Sequence, residues 1–233
     1  MARLFTLLLA FVAGLFLALP AMAQKPSEKD LRAPPKLPKM APPSELAGSL
    51  TTINEEDVLV LDLSTGGRVR IVMRTDVAPK HAERIKTLTR EGFYNGTIFH
   101  RVIEGFMAQG GDPTGTGRGG SEMPDIEEEF NDLPHVRGAV AMARAQEKDS
   151  ANSQFYIVFQ PVMKLDRNYT VWGRVISGMQ YVDKIVRGEP PENPSKILQA
   201  SIAADNVPPP DFAALAKAKP LDVPDDIPDL PLK

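Results

Sequence analysis

Residues 99–112 read Phe99-His100-Arg101-Val102-Ile103-Glu104-Gly105-Phe106-Met107-Ala108-Gln109-Gly110-Gly111-Asp112, and the interpretation of the chain turns on this run. Gly105 to Gly110 has the composition and the glycine boundaries of a short strand. Arg101 is the anomaly within it. An arginine amid Phe99, Val102 and Ile103 must find a partner or face a cavity, because an unpaired charge among apolar groups is costly. Phe106 and Met107, taken alone, read as readily as ordinary core.

The sequence on either side is mostly strand-like. Asp57 to Leu63 and Arg68 to Arg74 flank Ser64-Thr65-Gly66-Gly67, a hairpin signal. In the second run Val69, Ile71 and Met73 alternate with Arg68, Arg70 and Arg74, which predicts one buried and one wet face. Pro79 suits the first position of a helix whose stripe is Ala82, Ile85 and Leu88, with Gly92 just past its end. Further strands are predicted at Gly138 to Ala143, Gln154 to Phe159, Tyr169 to Val175 and Lys196 to Ala203. Met179, Val182, Ile185 and Val186 predict a second amphipathic helix, stopped by Gly188. Many short strands with one early and one late helix predict a mainly β fold, a closed antiparallel barrel with a helix over each mouth.

Composition excludes much else. The 233 residues carry a net charge of −3, which gives no basic face for nucleic acid. With no cysteine there is no disulfide framework, Cys-ligated zinc site, thiol nucleophile or iron–sulfur cluster. His81, His100 and His135 are too far apart in sequence to form a spaced ligand pair, so no metal site is predicted. His81 is expected on the exposed face of the first helix, and Asp125 to Glu129 as a solvated loop. Gly115-x-Gly117-x-x-Gly120 matches a dinucleotide fingerprint only as a string. Asp112-Pro113 precedes it and an acidic run follows, where a strand and a helix start are needed. A glycine-rich surface loop is the better reading.

The ends differ from the middle. Arg3, the apolar run Leu4 to Leu19, Pro20 and Ala21-Met22-Ala23 have the order of a cleaved signal peptide over residues 1–23. Residues 24–53 and 206–233 are rich in proline, and Phe212 is the one aromatic they contain, so they read as extended, flexible arms. Between them, 54–205 is predicted to be the folded domain. The protein is thus expected to be exported, without a membrane anchor after cleavage, and to act as a monomer. It would be periplasmic in a Gram-negative bacterium and secreted otherwise.

The segment 99–112 resembles the signature of the cyclophilin-type peptidyl-prolyl isomerases almost residue for residue. Gly115-Thr116-Gly117, Ala141-Met142-Ala143-Arg144-Ala145, Ser153-Gln154-Phe155-Tyr156-Ile157, Leu165-Asp166 and Val171-Trp172-Gly173-Arg174-Val175 follow in the family's order. The resemblance covers about 57–205 and omits both arms. It implies an eight-stranded barrel capped by two helices, and the look is that of bacterial exported members. It also implies roles. Arg101 would be the catalytic donor and Gln109 would hold a substrate carbonyl. Phe106, Met107, Tyr156 and Leu165 would form the slot for the proline ring. Ala143 and Arg144 would fix the peptide by their backbone, while His100, Gln154 and Tyr169 border the site. This chain departs from well-studied eukaryotic members at Lys164, where they carry Trp, and at Tyr169, where they carry His. Arg144 stands where they have Asn, and Tyr156 where they have Phe.

These residue types suit that reaction. Rotation about an X–Pro bond is opposed by amide resonance worth about 18–20 kcal/mol, although trans is preferred by only about 0.5–1 kcal/mol. At the twisted transition state the proline nitrogen becomes pyramidal and can accept a hydrogen bond. A donor aimed there binds the transition state better than the planar ground state. The guanidinium is always charged and holds several donors in a fixed fork. No cofactor is required. The expected partners are proline-containing peptides and unfolded or folding exported proteins. A proline-peptide binding module of the cell envelope, with little catalysis, is the alternative.

The first expectation concerns processing. The exported chain begins at Gln24 when its mass is measured, and recovery of an intact Met1 from the exported fraction would rule that out.

Overall fold

The computed structural model describes residues 53–217. The signal peptide, nearly all of the N-terminal arm and the end of the C-terminal tail lie outside the described residues. Eight strands run in chain order: β1 (Val58–Leu63), β2 (Gly67–Met73), β3 (Arg101–Ile103), β4 (Met107–Gly110), β5 (Ala139–Met142), β6 (Phe155–Val158), β7 (Val171–Ser177) and β8 (Ile197–Ile202). Three α-helices accompany them: α1 (Pro79–Arg90), α2 (Met179–Val182) and α3 (Phe212–Lys217). The strands form one antiparallel sheet in the order β3-β4-β6-β5-β7-β2-β1-β8.

The predicted closure is corrected. Among the described residues no ladder joins the edge strands β3 and β8, so the sheet is an open, curled half-barrel. The seam is spanned ahead of β3 by the bridge of Ile98 to Lys196 and by backbone hydrogen bonds from Gly96 to Ile197, from Ile197 to Thr97 and from Phe99 to Ser195. β3 is three residues long and too short to build a ladder on both sides. Its outer edge is instead covered by a loop, where Val102 and Gly188 exchange two backbone hydrogen bonds of 2.8 and 2.9 Å. Such cover protects an edge from pairing with another chain.

Alternation builds the elements as their sequences require. Along β2, Val69, Ile71 and Met73 are buried while Arg68, Arg70 and Val72 are partly exposed. Val69 and Ile71 join Leu59, Leu61, Phe155 and the fully buried Trp172 in the main core inside the curl. The helix α1 packs against β8 with Ala82, Ile85 and Leu88 inward.

Four other expectations change. His81 is fully buried, not exposed. Its Nδ1 lies 2.7 Å from Glu129 Oε2, and the same carboxylate accepts the backbone N–H groups of Lys80 and His81 at 3.0 Å. The acidic run is therefore no mere solvated loop: Glu129 caps the start of α1, where Ala78 offers no side-chain cap. The second helix, expected to reach Val186, stops at Val182 after four residues, and Val186 is exposed. The tail, expected to be extended, is helical at α3, with Asp211 Oδ1 accepting the N–H groups of Ala213 and Ala214. β3 was not anticipated as a strand at all.

The β7–α2 corner supplies a test. Gly178 sits at φ 86°, and a Cβ there would collide with the carbonyl oxygen of Arg68 on β2. Gly178→Ala combines left-handed strain, about 1–3 kcal/mol, with that collision. It should lower the thermal midpoint by roughly 5 °C or more. Gly96→Ala, at φ 81° but with open space around it, should be the milder change. Differential scanning calorimetry of the two variants checks the order, and equal midpoints would refute it.

Candidate active site

Register places the chemistry. Arg101 pairs with Gln109 across β3 and β4, Gln109 with Tyr156 across β4 and β6, and Tyr156 with Ala141 across β6 and β5. Residues directly opposite one another in a sheet project to the same face. Beside this row runs a second, Ile103, Met107 and Val158. Both rows face away from the core. On β6, Phe155 and Ile157 belong to the main core, while Tyr156 and Val158 belong to a second apolar cluster with Met107, Ala139, Ala141 and Val171. The site is built on the outer face of a sheet that buries both of its sides.

A cavity of about 140 Å³ opens on that cluster, lined by Arg101, Phe106, Met107, Gln109, Ala143, Arg144, Tyr156, Leu165 and Tyr169. This is well below the roughly 300–1,000 Å³ of pockets for whole small molecules, and fits a single side chain. Gln109, Ala143 and Arg144 also border a wider cavity of about 530 Å³, which runs under Gly117 to Ser121 and includes Gln154. Ten of the eleven residues assigned from the sequence thus line one cavity or the other. His100 lines neither. It is buried beneath the loop at Gly117, and its two ring nitrogens have no hydrogen-bond partner among the described residues. Burial lowers its pKa below the ordinary 6.5. Lys164 is exposed and also lines neither cavity.

The loop over His100 is held from within. Asp112 is buried, and its carboxylate accepts from the backbone and hydroxyl of Thr114 and from the backbone of Gly117 and Gly119. Burial opposes its charge, but these donors outweigh burial and hold the carboxyl at about 2. The glycine-loop amides are therefore turned to an internal carboxylate. The same loop orients the polar row. Gln154 Nε2 donates to the carbonyls of Gly117 and Gly119, so its Oε1 is left to accept from Gln109 Nε2 at 2.9 Å. Gln109 keeps its second N–H for the cavity.

Arg101 is about two-fifths exposed, and its Nε donates to Glu189 Oε2 at 2.7 Å. Neither Nη atom has a partner among the described residues. Arg144 is the opposite case. Its guanidinium donates to the carbonyls of Ala145, Gln146 and Asn168 and lies 4.7 Å over the Tyr169 ring. Those bonds staple two loops and leave its side chain little to offer a ligand. The N–H of Ala143 donates to Gln154 O, and among the described residues no backbone N–H outside the strand ladders donates to its carbonyl.

A relay from the partly exposed Asp166 through the buried His135 supports the slot wall, and sequence reasoning missed it. His135 Nδ1 lies 2.9 Å from Asp166 Oδ1, and its Nε2 lies 3.0 Å from the Tyr156 hydroxyl. A carboxylate only accepts, so Nδ1 carries the proton and Nε2 accepts from the tyrosine. His135 is fully buried, and burial lowers its pKa despite the opposing carboxylate. The backbone N–H of His135 is the largest of several influences that lower Asp166. Burial raises the Tyr156 hydroxyl well above its ordinary value. His135 and Asp166 are 31 residues apart, and no local pattern joins them.

The model for "Cyclophilin type peptidyl-prolyl cis-trans isomerase/CLD" matches residues 60–202. A probable peptidyl-prolyl cis-trans isomerase of Brucella suis is 48% identical over 166 residues, 64% of this chain and 84% of the relative. The peptidyl-prolyl cis-trans isomerase B of Bacillus subtilis is 40% identical over 128 residues, 54% of this chain and 89% of that one. Among solved structures, a cyclophilin from Hirschia baltica shares 27% identity at a TM-score of 0.62, covering 67% of this chain and 77% of its own. A Cryptosporidium parvum cyclophilin-type isomerase, solved in the presence of the dipeptide Ala-Pro, shares 28% identity at a TM-score of 0.58. That match covers 62% of this chain and 98% of the other.

Titration of the histidines yields a test. His81, His100 and His135 all have folded-state pKa values lowered from 6.5, with burial the main cause in each. The unfolded chain therefore binds protons more readily as pH falls. Their contribution is fully present above 6.5 and is lost as pH falls below it. Glu129 and Asp166, lowered from 4.5 and 3.8, extend the loss to lower pH. Thermal midpoints should be level above about pH 7 and fall progressively below 6.5, with a shallower fall in His135→Gln. A midpoint that is flat down to about pH 5 would contradict this.

Proposed function

This chain belongs to the cyclophilin-type peptidyl-prolyl cis-trans isomerase family, and from that premise we infer its reaction, acceleration of rotation about X–Pro peptide bonds. The observation that carries the assignment of roles is the Arg101–Gln109–Tyr156 row. It sets a charged donor and an amide beside an apolar slot sized for one ring.

The mechanism follows from that row. A proline ring enters the slot against Phe106, Met107, Tyr156 and Leu165, while the peptide backbone pairs with the carbonyl of Ala143 and the N–H of Arg144. The ring is held, and the segment before it turns. Gln109 steadies a substrate carbonyl with its second N–H. As resonance is lost, the proline nitrogen gains a lone pair, and an Nη of Arg101 donates to it. The bond is strongest at the transition state and so lowers the barrier rather than merely tightening binding. Apolar walls reduce competition from water and strengthen the polar contacts. Tyr169 and Arg144 shape the rim, Gln154 aligns Gln109, and His100 supports the loop above.

The biological context is part of the same proposal. Arg3, the apolar run and Ala21-Met22-Ala23 support export, so the clients would be exported proteins in the course of folding. Periplasmic residence follows in a Gram-negative cell, and secretion otherwise. The Ala-Pro dipeptide with the Cryptosporidium parvum neighbour supports short proline peptides as ligands. The fold supports a protein acting as a monomer, with the β3 edge covered by its own chain.

Arg101→Ala should lower kcat/KM by at least about tenfold, or roughly 1.4 kcal/mol, with the fold intact. Arg101→Lys should not restore the rate, because an ammonium lacks the planar fork. NMR exchange on a short Ala-Pro peptide reads both, and a folded Arg101→Ala protein working at the parent rate would end the assignment.

A further inference from the structure

We propose that Glu189 is a positioning residue for Arg101, holding the guanidinium by its Nε so that both terminal nitrogens stay directed into the slot. The inference rests on Arg101 being the transition-state donor.

Geometry of the pair separates it from the two-point arginine–carboxylate contacts of this molecule; Arg167–Asp132 and Arg187–Glu104 also use Nε alone, but neither of those arginines lines the slot. Arg68 meets Asp62 through Nε and Nη2 together, and Arg74 meets Asp76 in the same two-point way. Those pairs occupy the fork. Glu189 takes Nε alone, at 2.7 Å, and neither Nη has a protein partner among the described residues. A carboxylate that blocked the donor would sit on the fork. This one sits behind it.

Arg101 needs such a hold. It begins a three-residue edge strand, and its side chain is about two-fifths exposed. A free arginine side chain has many rotamers, so without an anchor the guanidinium samples many directions. The anchor is itself fixed. Gly188, the preceding residue, exchanges two backbone hydrogen bonds with Val102, next to Arg101, and Pro190 and Pro191 follow. The other nearby carboxylate, Glu104, is engaged by Arg187 Nε at 2.8 Å. Glu189 is half-exposed, so the pair contributes little to global stability. Its effect is on direction, and misdirection of a reacting group can cost up to about 100-fold in rate.

The test compares the full chain with Glu189→Gln and Arg101→Ala, using NMR exchange on a short Ala-Pro peptide at several concentrations. Glu189→Gln is expected to lower kcat about five- to tenfold with KM unchanged within about twofold and the thermal midpoint unaltered. The Arg101 Nε–H resonance, distinct and slow to exchange in the parent, should merge with those of the free arginines in the variant. Raising salt to about 1 M should narrow the parent's lead, because the pair is partly exposed. If Arg101→Ala loses activity while Glu189→Gln matches or exceeds the parent, the positioning role is overturned and Arg101 keeps its own. A loss in Glu189→Gln that appears in KM or in the midpoint, with kcat unchanged, would mark a structural contact and also overturn it. If Arg101→Ala keeps the parent rate, the assignment of Arg101 fails first.

Discussion

At β5 and β6 this sheet is apolar on both faces, and the site depends on that constraint. β2 obeys the ordinary rule for a curled sheet, with its arginines turned toward water. β5 and β6 do not: every residue of both strands is buried. Phe155 and Ile157 fill the inside of the curl, and Tyr156 and Val158 require cover on the outside. That cover comes from loops carrying Phe106, Leu133, Val162, Leu165 and Tyr169. Loops pack less completely than a second sheet would. The residual gap is the slot.

The supporting contacts follow from the same arrangement. A site framed by loops on a rigid sheet must have those loops tied down. Arg144 braces the loop after β5 with two hydrogen bonds, to Ala145 and Gln146, and ties it to Asn168 with a third and to the Tyr169 ring face. Asp166 ties the segment bearing Leu165 to His135, and His135 ties both to Tyr156. Tyr156 therefore does two things that a phenylalanine there could not combine: its ring walls the slot, and its hydroxyl bonds the buried His135. The sheet supplies Arg101, Gln109 and Tyr156 from adjacent strands in register, so their spacing is set by the sheet and is insensitive to loop motion.

Much of this was legible in the sequence, for physical reasons that can be named. Seven strands announced themselves by alternation or β-branched runs between turn residues, and α1 by Pro79, its stripe and Gly92. β3 did not, because three residues that begin with an arginine and run into a glutamate carry no period. Closure was overestimated because pattern counts strands but cannot see whether the last one reaches the first. His81 was misplaced because a helix face was judged exposed without knowing that Glu129, 48 residues away, lies across it. The slot was legible because the 99–112 signature holds its residues close together in sequence. The relay and the Arg101–Glu189 pair were not, because each joins segments 21 to 88 residues apart whose contact only the fold creates.

Those long-range contacts explain how a shallow, partly exposed site can direct a donor. Transition-state stabilisation by a hydrogen bond depends on the donor being aimed before the nitrogen changes shape, since reorganising at that moment would consume the gain. Arg101 cannot be aimed by burial, because a buried guanidinium would have to be paired and would lose the freedom to meet a substrate. It cannot be left free either, given its length. A contact to Nε resolves the conflict: it fixes the plane of the fork while leaving the two outer nitrogens open. Gln109 is handled in the same way, with one amide proton bound to Gln154 and the other free. Each donor thus gives one N–H to the protein and keeps the others free for a substrate at the slot that both residues line.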